Sequence, residues 1–261
     1  MTEQLPGTFY DYPRYYDLVY GSDWKAERDF LVAVFEQHAS RRVKRLLEPA
    51  CGSGRLLLPL ARAGFLVSGL DLNPAMVEYC NRRLDRHGFG QPAWVGDMSD
   101  FELTTPVDAA FNTINSFRHL EDHQQAVGHL ESMADAVAVG GLYVLGLHLT
   151  PTARPSTEDE SWSARRGHLA VQTSMQLIDR NLSRRRERYR MSYDIWTPTR
   201  HAQLVDEFDF RTYTAEQFQS LLAEVPALQV VAMYDFSYDL KQPLELDASS
   251  EDVVFVLRVR G

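Results

Sequence analysis

The sequence predicts an α/β protein with a doubly wound, mostly parallel sheet. Between residues 45 and 149, apolar runs of strand length alternate with amphipathic runs of helix length. Strands that alternate with helices are joined by right-handed crossovers, which place parallel strands side by side. After Thr150 the alternation stops, and three β-like segments follow one another without a helix. The pattern therefore predicts a parallel core with an antiparallel β insertion.

The first forty residues are predicted to be helical. Residues 9–24 are unusually aromatic, and Tyr16, Tyr20 and Trp24 recur one helical turn apart, as in an amphipathic helix. Residues 23–38 place apolar side chains on one face of a second helix. We expect residues 1–40 to form a helical lid.

The core is predicted from the alternating segments that follow. Gly64 ends a helix, Asn73 is an N-cap with Pro74 in the first turn, and the pair Gly140 and Gly141 forms a turn. The predicted strands are 45–47, 65–70, 93–95, 107–112 and 142–149, and the helices between them are 53–63, 73–86 and 124–137.

The second half of the chain is predicted to form an insertion followed by the last part of the core. Residues 151–164 have a loop composition, and the β-like segments are 169–178, 183–195 and 202–212, separated by turn residues. A helix at 214–224 and strands at 228–236 and 253–259 follow, which completes a seven-stranded sheet. The predicted divisions are thus the lid at 1–40, the core at 41–150, the insertion at 151–212 and the rest of the core at 213–261.

Composition and charge argue against some classes of binding partner and predict the cellular compartment. The 261 residues are 44% hydrophobic and carry a formal net charge of −9, which argues against a general binder of nucleic acid or anionic membranes. The two cysteines lie outside any CxxC pattern, so we predict no metal site and a reducing compartment. Without a signal-peptide pattern at the start or a membrane-length apolar run, we expect a cytoplasmic protein.

Acids and glycines follow the first two core strands, where the carboxyl ends of parallel strands open onto one edge of the sheet. In EPACGSG, Gly52 and Gly54 permit close approach of the backbone to a ligand, but a dinucleotide fingerprint requires a third glycine where Leu57 stands. Glu48 would repel a pyrophosphate and attract a cation. Asp71, at the end of the second strand, suits ribose hydroxyls or a helix N-terminus. A ligand with a ribose and a cationic end is S-adenosylmethionine.

These segments also resemble a family. LLEPACGSGRLLLPLARAGFLVSGLDLNPAM (46–76), VGDMSDF (95–101) and FNTINSFRHL (111–120) are similar to motifs of the class I S-adenosylmethionine-dependent methyltransferases. The resemblance covers roughly residues 15–150 and resumes near residue 211, and it implies a Rossmann-like fold. Residue by residue, it implies a cofactor site in which the methionine portion, the ribose, the adenine and the sulfonium are contacted by Glu48, Ala50, Gly52, Gly54, Asp71, Leu72, Met76, Asp97, Met98, Asn112 and Asn115.

The segment YYDLVYGSDW (15–24) resembles the opening of small-molecule N-methyltransferases that act on amino sugars and glycine-like amines. The resemblance implies that Tyr16 lines the site of methyl transfer and that Tyr20 and Trp24 close over the methionine end. It also implies an insertion that either covers a small-molecule acceptor, an amine by this resemblance, or builds a homodimer contact.

Candidate catalytic residues come from the same sheet edge. His119 follows the fourth strand and is predicted to serve the acceptor, with a structural hydrogen bond as its alternative. His148, which ends the fifth strand at the same edge, is the second candidate, and Tyr16 is the third. Arg118 is predicted to pair with an acidic substrate group or with Glu121. Alternate arginines at 184–190 would share one strand face, as an anion site, a hydrated hairpin or a subunit contact.

Three functions remain open on the sequence. A methyltransferase needs both the cofactor motifs and an acceptor pocket, whereas a non-catalytic S-adenosylmethionine-binding protein needs only the motifs. A Rossmann oxidoreductase would need the missing third glycine and fits Glu48 poorly.

Overall fold

A computed structural model of the protein describes residues 2–153 and 159–261. Its strands, in chain order, are β1 (Glu3–Gln4), β2 (Arg45–Pro49), β3 (Leu66–Asp71), β4 (Ala93–Val95), β5 (Val107–Asn112), β6 (Val137–His148), β7 (Glu160–Arg166), β8 (Leu169–Asn181), β9 (Arg186–Thr197), β10 (Arg200–Arg211), β11 (Leu228–Tyr234) and β12 (Asp252–Val259). Its α-helices are α1 (Pro13–Tyr20), α2 (Lys25–His38), α3 (Leu57–Arg62), α4 (Pro74–Asp85), α5 (His123–Ala136) and α6 (Ala215–Ala223). In the described ranges, no helix combines the length and the apolar composition that a membrane crossing requires.

The larger sheet has seven strands in the order β11-β12-β6-β5-β2-β3-β4. Strand β12 runs antiparallel to both of its neighbours, and the other adjacent pairs are parallel. Helices α5 and α6 contribute to the apolar cluster on one face, while α2, α3 and α4 contribute to the cluster on the other. The predicted doubly wound, mostly parallel, seven-stranded sheet is confirmed.

The smaller sheet has five strands in the order β1-β10-β9-β8-β7, and only β1 runs parallel to its neighbour. The prediction of three strands in the insertion was too low, because β7, β8, β9 and β10 all belong to it. Strand β7 begins within the segment 151–164, which we expected to be a loop. It was missed because most of its residues are exposed at a sheet edge and it carries no apolar alternation. Residues 154–158 of that segment lie outside the described residues.

Two predicted boundaries were wrong for reasons of backbone geometry. The helix expected at 53–63 begins only at Leu57, because Gly52 and Gly54 hold positive φ angles of 51° and 70° and form a turn first. Strand β6 begins at Val137, five residues before the predicted start. The pair Gly140 and Gly141 lies inside this strand, beside an irregularity in its register with β5, rather than in a turn before it.

The N-terminal aromatic segment is not one helix. Helix α1 ends at Tyr20 and α2 begins at Lys25, so Trp24 is the residue preceding α2 and does not share a helix with Tyr16. Phe9 and Leu18 are buried in the apolar cluster of the smaller sheet. The start of the chain therefore packs against β8, β9 and β10, and it lies over the carboxyl edge of the larger sheet.

Candidate functional site

A cavity of about 970 Å³ lies between the carboxyl edge of the larger sheet and the inner face of the smaller one. The loops after β2, β3, β5 and β6 form one wall, strands β8, β9 and β10 form the opposite wall, and aromatic residues of the first twenty contribute a third side. The predicted site residues that line this cavity are Tyr16, Tyr20, Glu48, Ala50, Gly52, Asp71, Leu72, Asp97, Met98, Asn112, Asn115, His119 and His148.

Three predicted site residues, Gly54, Trp24 and Met76, do not line the cavity. A Cβ at Gly54 would lie 2.5 Å from the Sγ atom of Cys80, so this glycine permits the loop to pack on α4. Trp24 packs against the core with the Arg28 guanidinium 5.2 Å from its ring centroid. Met76 is fully buried on α4.

Asp71 holds two cavity loops together. Its carboxylate accepts hydrogen bonds from the backbone N–H of Gly52 at 2.8 Å and of Asn73 at 2.9 Å. Burial raises the pKa of Asp71 above its usual value, and these two N–H donors oppose the rise. The carboxylate thus fixes the glycine turn and still borders the cavity, where its remaining lone pairs could accept hydrogen bonds from a ligand.

Three buried polar atoms at the carboxyl ends of β2 and β5 and in the glycine turn have no protein partner among the described residues. Within the described residues, Glu48 Oε2, Ser53 Oγ and Asn112 Oδ1 are buried and make no hydrogen bond. Burial raises the pKa of Glu48 well above 4.5, although the nearby charge of Arg55 acts against the rise. A buried acceptor without a donor is costly, so a ligand that brings donors, and above all a cation, relieves this end of the cavity.

Arg55 joins the glycine turn to the N-terminal helices. Its guanidinium contacts the Glu27 carboxylate at 2.5 Å and donates to the backbone oxygen of Asp23 at 2.7 Å. Glu27 in turn accepts a hydrogen bond from the Thr113 hydroxyl in the loop after β5. This buried network fixes the start of α2 against two cavity loops.

Apolar side chains face the cavity beyond Asp71. Leu72 is 72% exposed and Ile114 is 48% exposed, and both line the cavity. Met98 lies close by, and Asp97 accepts hydrogen bonds from the backbone N–H and the hydroxyl of Ser99, both at Oδ1. Apolar surfaces beside a carboxylate suit a flat heteroaromatic ring with an amino group, such as adenine.

His119 lies on the opposite side, in the 3-10 helix Ser116–His119. Its Nε2 is 3.0 Å from the Tyr10 hydroxyl, and its ring contacts Phe208 and Phe210. Burial, with a smaller contribution from the charge of Arg118, lowers the pKa of His119 to about 4. The imidazole is therefore neutral near pH 7 and can exchange hydrogen bonds without carrying charge.

The other candidates at the acceptor side have different environments. The Nδ1 atom of His148 is 2.5 Å from Asp252 Oδ1, and the imidazole is part-exposed at the rim of the cavity. Burial raises the pKa of Tyr16 to about 12, so its hydroxyl remains protonated and can donate a hydrogen bond. Arg118 pairs with buried Glu187 at 2.5 Å, so the alternative that it pairs with Glu121 was wrong, and a pairing with an acidic substrate group stays a prediction.

The alternate arginines are paired on an outer face. Arg184 lies in a 3-10 turn before β9 and does not share the strand face, contrary to the prediction. Arg186 and Arg188 contact Asp209 at 3.3 and 2.8 Å, and Arg190 contacts Glu207 at 2.7 Å. These partly exposed pairs favour the hydrated hairpin over an anion site.

Sequence reasoning missed the cavity residues of the smaller sheet and Tyr10. The inward residues of β10 include Leu204, Asp206, Phe208 and Phe210, an apolar alternation that one acid interrupts. That interruption was the available signal. The acid in this alternation indicates a site residue only when the sheet is known to face a cavity.

Comparisons with known proteins agree with this geometry. Residues 46–141 match a family model described as a methyltransferase domain. A dTDP-3-amino-3,6-dideoxy-alpha-D-glucopyranose N,N-dimethyltransferase of Streptomyces fradiae is 33% identical over 136 residues, 50% of each chain. A glycine N-methyltransferase of Oryctolagus cuniculus is 31% identical over 136 residues, 45% of this chain and 44% of that one. The chain spans about half the length of the curated relatives it matches.

The fold has close structural neighbours. The sugar N-methyltransferase KedS8 from Streptoalloteichus sp. superimposes with a TM-score of 0.76 over 100% of this chain and 96% of that chain, at 21% sequence identity. At that identity the likeness establishes the fold alone.

Proposed function

We propose that this chain, whose residues 46–141 match a methyltransferase domain, is a class I S-adenosylmethionine-dependent methyltransferase that transfers a methyl group to a small-molecule amine. The observation that carries the proposal is the cavity itself, which joins a cofactor end at the glycine turn to a second, aromatic end under the smaller sheet. Relatives that act on amino sugars and on glycine support a nitrogen acceptor.

The cofactor end fits S-adenosylmethionine on its own chemistry. The unpaired oxygen of Glu48 suits the ammonium of the methionine portion, and Asp71 suits the ribose hydroxyls. Exposed Leu72 with Met98 suits the adenine ring, and Asp97 suits its amino group. These residues would hold the cofactor from its amino acid end to its base.

The chain's own contribution to transfer is alignment and exclusion of water. When bound, S-adenosylmethionine supplies a methyl group on a positively charged sulfur that departs as a neutral thioether. Tyr16 and Tyr20 lie between the cofactor end and the aromatic end, where they exclude water and orient the acceptor. In the tautomer whose Nε2–H donates to the Tyr10 hydroxyl, neutral His119 can accept a hydrogen bond from an amine N–H at Nδ1 and so orient the amine lone pair.

A non-catalytic cofactor-binding protein is the second candidate. It would need no space beyond the sulfonium, and the aromatic end of the cavity speaks against it. An oxidoreductase is disfavoured because buried Glu48 would face a pyrophosphate and Leu57 replaces the third glycine.

The test is incubation of the full chain with methyl-labelled S-adenosylmethionine and a panel of amines, followed by mass detection of labelled products. The panel includes a dTDP-linked amino sugar, glycine and simple alkyl and arylalkyl amines, with the corresponding alcohols as controls. We expect label on at least one amine and on none of the alcohols. Cofactor binding without transfer to any amine would contradict the proposal and favour the non-catalytic alternative.

A further inference from the structure

We propose that the acceptor is a phosphate-free amine with an apolar body, and that its nitrogen binds beside Asp206. This inference rests on the transfer activity proposed above and specifies its substrate class. It separates this chain from the relative whose printed substrate is a dTDP-linked amino sugar.

Asp206 is an acid placed on an apolar strand face. Along β10 the inward positions are Ala202, Leu204, Asp206, Phe208 and Phe210, and Ala202 and Leu204 are buried. Asp206 lines the cavity, and its carboxylate accepts hydrogen bonds from backbone N–H groups, including that of Phe9 at 3.2 Å. In the described part of the chain, no cationic side chain pairs with this carboxylate. A partly buried carboxylate without a countercharge attracts a cationic ligand.

The surroundings of Asp206 suit an apolar ammonium ion. Its cross-strand neighbour on β9 is Met191, and the next residue in that row on β8 is Met175. Tyr189 and Phe208 face each other on the neighbouring row and line the same cavity. Thioether and aromatic side chains bind an apolar body, and aromatic faces also attract cations. Burial raises the pKa of Asp206, as expected for a carboxyl group held in apolar surroundings.

The charges of the wall disfavour a nucleotide-linked acceptor. Among the described lining residues, nine carboxylates stand against three arginines and no lysine. Arg118 and Arg180 both bind Glu187, at 2.5 and 2.6 Å, and Arg55 binds Glu27. The two arginines on Glu187 retain one net positive charge, but a pyrophosphate brings two negative charges and would face the excess of carboxylates.

The position of Asp206 also matches the direction in which charge moves. Transfer starts from the neutral amine, so a bound ammonium first releases one proton to solvent. The amine lone pair then forms the N–C bond, the C–S bond electrons pass to sulfur, and the positive charge moves from sulfur to nitrogen. A carboxylate beside the nitrogen stabilises this developing charge, and it does so without taking a proton. Asp206 is thus an acceptor-binding group whose effect is greatest when the nitrogen becomes cationic.

The experiment measures binding separately from turnover. The full chain is saturated with S-adenosylhomocysteine and titrated calorimetrically with 2-phenylethylamine, cyclohexylamine, 2-phenylethanol and dTDP-3-amino-3,6-dideoxyglucose. We expect both amines to bind more tightly than the alcohol and the nucleotide sugar. Asp206→Asn should weaken amine binding by about 10- to 100-fold, the loss of a charge-assisted hydrogen bond, and leave S-adenosylhomocysteine binding unchanged. Glu207→Gln, the adjacent exposed residue paired with Arg190, is the matched control and should change neither.

Three results would overturn the inference: absence of amine binding, equal amine affinity in Asp206→Asn, or tighter binding of the nucleotide sugar. The last of these would leave the proposed methyl transfer intact and change only its substrate class. Conversely, amine binding that depends on Asp206 but is never followed by methyl transfer would support the site and contradict the proposed function.

Discussion

Replacement of Glu48 by glutamine should stabilise the free protein while it weakens cofactor binding. Glu48 is 9% exposed, and its Oε2 has no hydrogen-bond partner among the described residues. Burial raises its pKa well above 4.5, so the folded protein favours the protonated carboxyl. For an acid whose pKa is higher in the folded state, stability is lost as the pH rises from the unfolded pKa through the folded one. Glu48→Gln removes that loss because glutamine does not ionise.

The size of the effect follows from two terms. A buried acceptor without a donor costs about 1–3 kcal/mol. Glutamine regains only part of this free energy, about 1–2 kcal/mol, because its own amide also needs hydrogen-bond partners. For a chain of this size, each kcal/mol shifts the melting temperature by about 2–4 °C, so the variant should melt roughly 2–8 °C higher at pH 8 and close to the parent near pH 4.5. Cofactor affinity should fall by about 10- to 100-fold through loss of a charge-assisted hydrogen bond.

Thermal melts at several pH values and calorimetric titration with S-adenosylmethionine test both parts. Glu251→Gln is the control, because Glu251 also lines the cavity but is exposed, and this change should affect neither quantity. If Glu48→Gln melts at or below the parent temperature at pH 8, the attraction of Arg55 outweighs the cost of burial, and the buried Glu48 carboxylate does not destabilise the free protein. If its affinity for the cofactor is unchanged, Glu48 does not face the ligand.

Two further predictions concern the two ends of the cavity. Asp71→Ala should weaken S-adenosylmethionine binding by about 1–3 kcal/mol, because the ribose hydroxyls and the N–H groups of Gly52 and Asn73 lose their acceptor. Calorimetry measures this change, and an unchanged dissociation constant in a folded variant would remove Asp71 from the site. His119→Ala should lower kcat roughly 10- to 100-fold with little effect on cofactor affinity. Because the pKa of His119 is about 4, the kcat profile between pH 6 and pH 8 should contain no ionisation of this residue; a step near pH 6.5 that disappears in the variant would show that it titrates there.

The sheet could be predicted because its pattern is local. Each βα unit of the core carries its own apolar run, turn and cap, and Asn73 indeed accepts hydrogen bonds from the backbone N–H of Ala75 and Met76 at the start of α4. The elements that were missed depend on distant partners. Strand β1 is only two residues long and exists because Glu3 and Gln4 pair with Ala202 and Gln203. No local preference specifies such a strand.

The two ends of the cavity differ in the same way. The cofactor end comes from consecutive loops at one sheet edge, so chain order alone brings Glu48 and Asp71 together. The acceptor end needs contacts between segments that are far apart in sequence, such as Tyr10 with His119 and Phe9 with Asp206. The alternation along β10 shows which side chains share a face with Asp206, but not what that face covers. Because an acid on an apolar strand face is equally consistent with an ion pair, a subunit contact or a ligand, only the packing of the insertion over the core makes Asp206 a candidate for substrate binding.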